Sequence, residues 1–249
     1  MPWRIVGVDG TIDPYAVMVS EIMLQQTQVG RVIPKFEAFM RQFPTVKALA
    51  DAPLSQVLTL WSGLGYNRRA KFLHQAAQKI MQEYGGQLPM TVDALVTLPG
   101  IGKNTAGAIL AYAYNQPVLF IETNVRTVYI HHFFHDQTDI PDAAVTGVLD
   151  MTLDRDHPRE FYWSLMDYGT VLKKEYGNLS RKSQAYAKQS KFEGSKRQVR
   201  GQVLRNLATA QQTKAQLEEA ITDKRLDEVL ESLQIEGLIT KEKDHYLLG

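Results

Sequence analysis

From Asp13 to about Gly169 apolar positions recur at three- and four-residue spacing, in runs of about 10 to 16 residues, which is the signature of helices buried along one face. Phe43-Pro44, Tyr84-Gly85-Gly86 and Leu98-Pro99-Gly100 punctuate the runs. The pattern predicts an all-α body with few strands. Asp13-Pro14 reads as an N-cap followed by proline at the first helical position, opening a helix that passes Ile22 and Gln26 and ends near Val29. Beyond Gln198 the grammar changes. One helix carries Val199, Val203, Leu204 and Leu207, Thr213 to Gln216 spell a capping box, and a further helix carries Leu226, Val229, Leu230 and Leu233. Gly237 to Thr240 and Tyr246 to Leu248 then read as two short strands around a charged turn at Glu242 to Asp244. Three helices and a hairpin resemble a winged helix. The expected division is residues 1–192 as the all-α body and 193–249 as a small winged-helix (α+β) domain, which either binds a partner or serves as a packing appendage.

Composition narrows the class. With 249 residues, 44% hydrophobic and 22% charged, the chain can bury a sizeable core, and whole-chain disorder is excluded. No apolar run approaches the roughly 18 residues of a spanning helix, and Met1 to Gly10 lacks the pattern of a signal peptide. The expectation is a soluble, intracellular, cytoplasmic (nucleoid-associated) protein with no membrane contact. The absence of cysteine excludes disulfides, thiolate chemistry, iron–sulfur clusters and zinc–thiolate sites, and the six His show no metal-ligand spacing. No metal site is expected. The net charge of +1 hides segregation: Lys173 to Arg205 holds ten Lys/Arg against two Glu, leaving the remainder about −7. Such a block is either a solvated surface or a partner for a phosphate backbone.

Two stretches carry candidate chemistry. Leu98-Pro99-Gly100-Ile101-Gly102-Lys103-Asn104-Thr105-Ala106 lies between a helical stretch from Thr91 to Leu98 and a small-residue helix from Lys103 to Tyr114, making a helix-hairpin-helix. Gly100 and Gly102 let the backbone turn tightly and approach another chain, and the free N–H groups opening the next helix suit a phosphate. Such a device grips nucleic-acid backbone without reading sequence. In Ser20-Glu21-Ile22-Met23-Leu24-Gln25-Gln26-Thr27-Gln28-Val29, helical spacing puts Val17, Glu21 and Leu24 on one face. Glu21 is then either a carboxyl whose pKa desolvation raises, as a proton donor near neutral pH requires, or a residue at the stripe's edge that reaches water.

On these motifs, with Leu60-Trp-Ser-Gly-Leu-Gly-Tyr66 and Phe120-Ile-Glu-Thr-Asn-Val-Arg126, the chain from about Trp3 to Thr170 resembles the helix-hairpin-helix DNA glycosylases, and within them the MutY-like adenine enzymes more than endonuclease III. The resemblance implies a two-lobed helical core with a DNA cleft between the lobes. It implies that Glu21 protonates a flipped base and helps position water, and that the residue matching the family's second carboxylate, Glu122, stabilises the sugar cation. Asn104 and Asn124 would line the site. Gln25 and Gln26 would fill and read the gap in the duplex, with Tyr66, Asn67 and Arg68 in the loop that wedges it. Gly100, Gly102, Lys103 and Thr105 would sit at the hairpin's phosphate contact. Trp61 reads as a core aromatic, an assignment also open for Tyr66. The expected partner is double-stranded DNA with a mispaired or damaged base. No cofactor is implied beyond a possible structural monovalent cation in the hairpin.

Departures from the family qualify the function. Glu122 stands where aspartate is usual, one methylene longer, and reads alternatively as a simple complement to a helix N-terminus. Asn104 stands where lyase-active relatives have a Schiff-base lysine and where serine or tyrosine is common among adenine and thymine enzymes. Lys103, one residue earlier, is a phosphate contact or a surface charge, so a monofunctional enzyme with little strand cleavage is expected. Asn67 replaces the second tyrosine of the usual Gly-Tyr-Tyr. After Met166-Asp167-Tyr168-Gly169 the chain lacks the four cluster cysteines, and the basic block from Lys173, Lys174, Arg181 and Lys182 is expected to supply DNA contact instead. About 50 residues cannot hold the MutT-like domain that recognises 8-oxoguanine. The leading expectation is removal of adenine from a mispair. The alternatives are a glycosylase for uracil, thymine or a damaged base, a non-catalytic DNA-structure binder, and a winged-helix regulator on a borrowed fold.

Overall fold

The computed structural model describes residues 1–8 and 10–249. After a 3-10 turn at Pro2–Arg4, α1 (Pro14–Leu24) begins where Asp13 Oδ1 accepts the Tyr15 N–H at 2.9 Å. It ends five residues before the position that hydrophobic spacing suggested. Helices α2 (Val29–Gln42), α3 (Val46–Ala50), α4 (Leu54–Trp61), α5 (Arg68–Tyr84) and α6 (Val92–Leu95) follow, several of them shorter than the spacing predicts. Thr45 and Thr91 cap α3 and α6. The second half of the body comprises α7 (Lys103–Tyr114), α8 (Thr123–Phe133), α9 (Asp142–Thr152) and α10 (Pro158–Tyr176).

Helices α1 and α7 pack on each other, α1 also against α2 and α5, α7 against α10. They join a first group, α2 to α6, to a second, α8 to α10, and the cleft between the groups runs over α1. That central place explains why α1 is buried almost all round, from Tyr15 through Met23, rather than along one stripe. A single apolar core runs through both groups. Two glycines set close approaches. Gly100 has φ +80°, and a Cβ there would lie 2.9 Å from that of Phe72. At Gly169 a Cβ would lie 2.7 Å from the carbonyl oxygen of Asn124, so α8 and α10 can touch only because that position is bare.

The C-terminal residues form α11 (Lys196–Leu207), α12 (Lys214–Ala220), α13 (Leu226–Ile235) and a three-stranded antiparallel sheet. The capping box at Thr213 and Gln216 is formed. The hairpin pairs β2 (Ile239–Glu242) with β3 (His245–Leu248). Unforeseen by the pattern, β1 (Gln212–Thr213) adds to the free edge of β3, two residues being too few for an alternation to show. This winged-helix unit leans on the first helical group. Lys71 Nζ donates to the Glu236 carbonyl and Arg197 donates to the Tyr66 hydroxyl at 2.6 Å, while Gln189, in the segment that precedes the unit, donates to Gln26. Among the described residues no helix is long and apolar enough to cross a membrane.

Candidate active site

The floor of the cleft is a cavity of about 590 Å³ lined by Glu21, Glu122, Asn104 and Asn124, with Gln25, Gln26 and Thr105 at its edge. Glu21 comes from the last turn of α1 and is buried. Glu122 is the N-cap residue of α8, yet its side chain caps nothing. Instead the two carboxyl groups share a hydrogen bond. Two adjacent carboxyls on the floor of a cleft, Glu21 buried and Glu122 half-buried, do not both ionise readily. Burial first, then the charge of Glu122 and its hydrogen bond, hold Glu21 well above the usual carboxylate range, against a weaker opposing pull from Arg4. Burial raises Glu122 too, while the hydrogen bond from Glu21 lowers it. Both carboxyls are thus shifted toward the protonated form, Glu21 the more strongly, and the pair favours sharing a proton.

The two asparagines line the cavity with their amides bonded to neighbouring elements. Asn104 Nδ2 donates to the Ile121 carbonyl at 2.9 Å and its Oδ1 accepts the Ile121 N–H at 3.4 Å, so it clamps the peptide just before Glu122. Asn124 Nδ2 donates to the Met166 carbonyl at 2.9 Å and to Thr170 Oγ1 at 3.2 Å, while its Oδ1 accepts from Lys173 Nζ at 3.0 Å. That turns Asn124 toward α10. Of the four basic residues expected to meet DNA, Lys173 is thus drawn inward, where burial lowers its pKa, and Lys182 is tied to the His135 carbonyl. Lys174 and Arg181 are exposed.

Gln25 ties the end of α1 to the hairpin, donating to the Gly100 carbonyl and to Thr105 Oγ1, both at 3.2 Å. Gly102 and Lys103 lie exposed at the start of α7, and a Cβ at Gly102 would meet nothing, so no contact within the fold demands that glycine. Gln26 and Tyr66 both adopt left-handed backbone, φ +55° and +47°. Non-glycine residues held there are strained, a state found at sites that grip ligands. Asn67 is the residue before α5, with no side-chain cap bond, and Arg68 lies over the Phe72 ring at 5.3 Å. Tyr66, Asn67 and Arg68 line a second cavity, with Gln25 and Gln26 forming a wall common to both. Trp61 is fully buried, as expected for a core aromatic.

Arg69 escaped the sequence reading. Its buried guanidinium donates to the carbonyls of Ile22, Met23, Gln25, Gly65 and Tyr66 and to Thr27 Oγ1. It satisfies the orphan carbonyls at the end of α1 and so stops the helix at Leu24. Burial lowers its pKa to about 10. A signal was present, because Arg69 falls on the apolar stripe Ala70, Leu73, Ala76, Ala77 and Ile80 of α5. Arg4, Tyr112, Trp163 and Asp167 were also missed as cavity residues. Arg4 pairs with Asp167 at 2.8 Å and lies over the Trp163 ring. Among the described residues the buried Tyr112 hydroxyl has no hydrogen-bond partner; burial raises its pKa, and negative charge on the Glu122–Glu21 pair raises it further.

Residues 19–146, half of the chain, match the family described as HhH-GPD superfamily base excision DNA repair protein. The chain belongs to this superfamily. Among its relatives in the HhH-GPD superfamily, an adenine DNA glycosylase of Mycolicibacterium smegmatis is 36% identical over 98% of this chain and 89% of its own length. The human adenine DNA glycosylase is 36% identical over 69% of this chain, which spans 33% of that protein. Of solved structures, a thermostable thymine-DNA glycosylase superposes with a TM-score of 0.60 at 24% identity, covering 73% of this chain and 86% of the other. A trapped endonuclease III–DNA covalent intermediate superposes with a TM-score of 0.53 at 19% identity, over 66% and 75%. These two establish the shared fold, a helix-hairpin-helix glycosylase core.

Proposed function

We propose that this HhH-GPD protein is a MutY-like DNA glycosylase that hydrolyses the N-glycosidic bond of adenine in a mispair and leaves the abasic site uncut. The observation that carries the reading is the carboxyl pair, a proton donor and a carboxylate hydrogen-bonded to each other in a cleft wide enough for a base. The names of the relatives support adenine as the base.

Glu21 transfers its proton to a ring nitrogen of the extruded base as the bond from that base to C1′ breaks, and the bond's electron pair leaves with the base. The Glu122 carboxylate faces the positive charge that develops on the sugar. Water then adds to C1′ and gives its proton to the Glu21 carboxylate, which restores the pair. The additional methylene of Glu122 is accommodated because Asn104 fixes its backbone and Glu21 its carboxyl. Asn104 in place of a lysine supports hydrolysis without strand cleavage, since an amide cannot form a Schiff base.

For the monovalent cation that the resemblance implies, the hairpin offers backbone oxygens. The carbonyls of Leu95 and Leu98 each accept one N–H and that of Gly100 accepts Gln25, leaving a lone pair on each. They would hold the ion as a brace for the turn.

Single-turnover base release from duplexes carrying adenine, uracil, thymine or damaged bases opposite guanine or 8-oxoguanine, read with and without alkali, tests the reading. Adenine release that becomes a strand break only after alkali supports it. Release of another base moves the specificity, breaks without alkali remove the monofunctional assignment, and binding without release makes the chain a DNA-structure binder.

A further inference from the structure

The second cavity, about 790 Å³, lies between the α4–α5 junction and α11 of the winged-helix unit. Six arginines line it, Arg31, Arg68, Arg69, Arg197, Arg200 and Arg205, against the single carboxylate of Glu236. Glu236 is committed within the fold, to Arg200 at 2.6 Å and more distantly to Arg68 at 3.8 Å. Arg69 is spent on the backbone around α1. Among the described residues, Arg31, Arg197 and Arg205 have no carboxylate partner. Arg197 instead donates to the Tyr66 hydroxyl and to Ser190, and lies over the Tyr66 ring at 5.7 Å. Exposed Phe192 adds an aromatic face. A concave surface with spare guanidiniums and aromatic rings suits a strand of phosphodiesters with unstacked bases.

The position of the cavity selects which strand. Gln25 and Gln26 are its common wall with the Glu21–Glu122 cavity. A base extruded into the carboxyl cavity leaves its pairing partner on the other side of those glutamines, where the arginines are. The charge of the winged-helix unit agrees. In a helix-turn-helix of ordinary use, the second helix of the motif enters the major groove. Here that helix is α13, which carries Asp227, Glu228 and Glu231 and no basic residue, whereas α11 carries Lys196, Arg197, Arg200 and Arg205 and no acidic one. A duplex is repelled by the first and attracted by the second.

We propose that the arginine-lined cavity holds the phosphates of the strand opposite the excised base, and that the winged-helix unit touches DNA through α11 rather than through α13. This deepens the glycosylase reading and rests on it. On DNA binding, phosphate oxygens replace the Tyr66 hydroxyl and Ser190 as partners of Arg197, which frees Tyr66 to stack on a base.

The test uses the full chain and a fluorescent duplex whose mispaired adenosine carries a 2′-fluorine that blocks excision. Kd is measured from 50 to 200 mM salt. Each phosphate contact contributes about 0.9 to the slope of log K against log salt. R197A/R205A should flatten the slope by roughly 1.8. R197K/R205K, which keeps the charge, should restore it, and D227A/E231A should leave it as in the wild type. Strand-resolved hydroxyl-radical footprints should lose protection on the complementary strand in R197A/R205A while the adenine strand stays protected, with circular dichroism unchanged. A wild-type slope in R197A/R205A, or equal loss on both strands from a folded variant, overturns the proposal while glycosylase activity stands. A wild-type chain that releases no base from any duplex overturns the reading beneath it.

Discussion

Replacing Arg69 by methionine keeps an apolar stem of similar length and removes the guanidinium that ends α1. Its bonds to the Ile22 and Met23 carbonyls, at 2.8 and 2.9 Å, lie in fully buried surroundings, whereas those to Gln25, Thr27 and Gly65 lie nearer the cleft, where water can replace them. Two buried acceptors without partners cost about 1–3 kcal/mol each, and relief from burying a cation offsets part of that. The net loss should be about 2–4 kcal/mol. For a chain of this size that corresponds to a fall in Tm of roughly 4–16 °C. Calorimetric melts of wild type, Arg69→Met and Arg69→Lys decide the matter. The lysine variant should recover only part of the loss, because three rotating donors cannot serve carbonyls on two separate segments at once. Duplex affinity should fall with stability, since Gln26 and Tyr66 lose the group that holds their left-handed backbone in register. A drop in Tm below about 2 °C in Arg69→Met would show that water caps the helix equally well, and full rescue by lysine would show that charge, not the planar fork, is what matters.

Other outcomes follow from the same geometry. Glu21→Gln should bind duplex normally and lose about 100-fold or more in single-turnover base release; undiminished release would remove Glu21 from its role. The same variant carries a pH signature. The folded pKa of Glu21 lies above its ordinary value of 4.5, so the folded state binds more protons and stability is lost as pH rises from that value through the raised one. The Tm advantage of Glu21→Gln over wild type should accordingly grow with pH across that window, and wild-type base release should decline as the pair loses its proton; a pH-independent Tm difference would contradict the shared proton. Asn104→Ala should lower the rate of base release through loss of the Ile121 clamp while leaving Kd for uncleavable DNA within a few-fold, and rescue of the rate by Asn104→Asp would argue against an amide bridging both backbone groups. Gly169→Ala forces a Cβ to within 2.7 Å of the Asn124 carbonyl, so it should destabilise the fold by about 1–3 kcal/mol and, by shifting the start of α8, slow base release by as much as about 100-fold. Wild-type melting and rate in that variant would show that the two helices can part freely.

Much of the fold was legible because it is written in local chemistry. Asp13-Pro14 opens α1, the Thr213–Gln216 box opens α12, and the glycine turn at 100–102 precedes α7 as its spacing requires. The end of α1 was not legible, since the group that stops it is Arg69, forty-five residues beyond Leu24 and a neighbour only in space. The carboxyl pair divides the same way. Glu21 stood out as an acid among apolar neighbours. The location of Glu122 next to it depends on α1 and α8 converging on the cleft, which no periodicity encodes. Asn124 lines the cavity, as the motif implied, but the partners of its amide were not legible, because it is the bare Cα of Gly169 that lets α10 come close enough to bond it. Charge counting located the basic block, yet only tertiary contacts separate Lys173 and Lys182, tied to Asn124 and the His135 carbonyl, from Arg197 and Arg205, which line the second cavity without a carboxylate partner among the described residues.

The glutamine wall between the two cavities has a thermodynamic consequence. Gln25 and Gln26 face both chambers, so with one strand's base in the carboxyl cavity and the opposite strand along the arginines, each occupant alters the surface that the other meets. Equilibrium linkage is reciprocal: whatever factor the partner nucleotide adds to the affinity for the extruded base, the extruded base adds to the affinity for the partner. A correctly paired duplex and a mispaired one then differ by a coupling energy as well as by the separate contacts of two bases. That quantity belongs to neither chamber alone, and a double-mutant cycle between a residue of each cavity is the way to measure it.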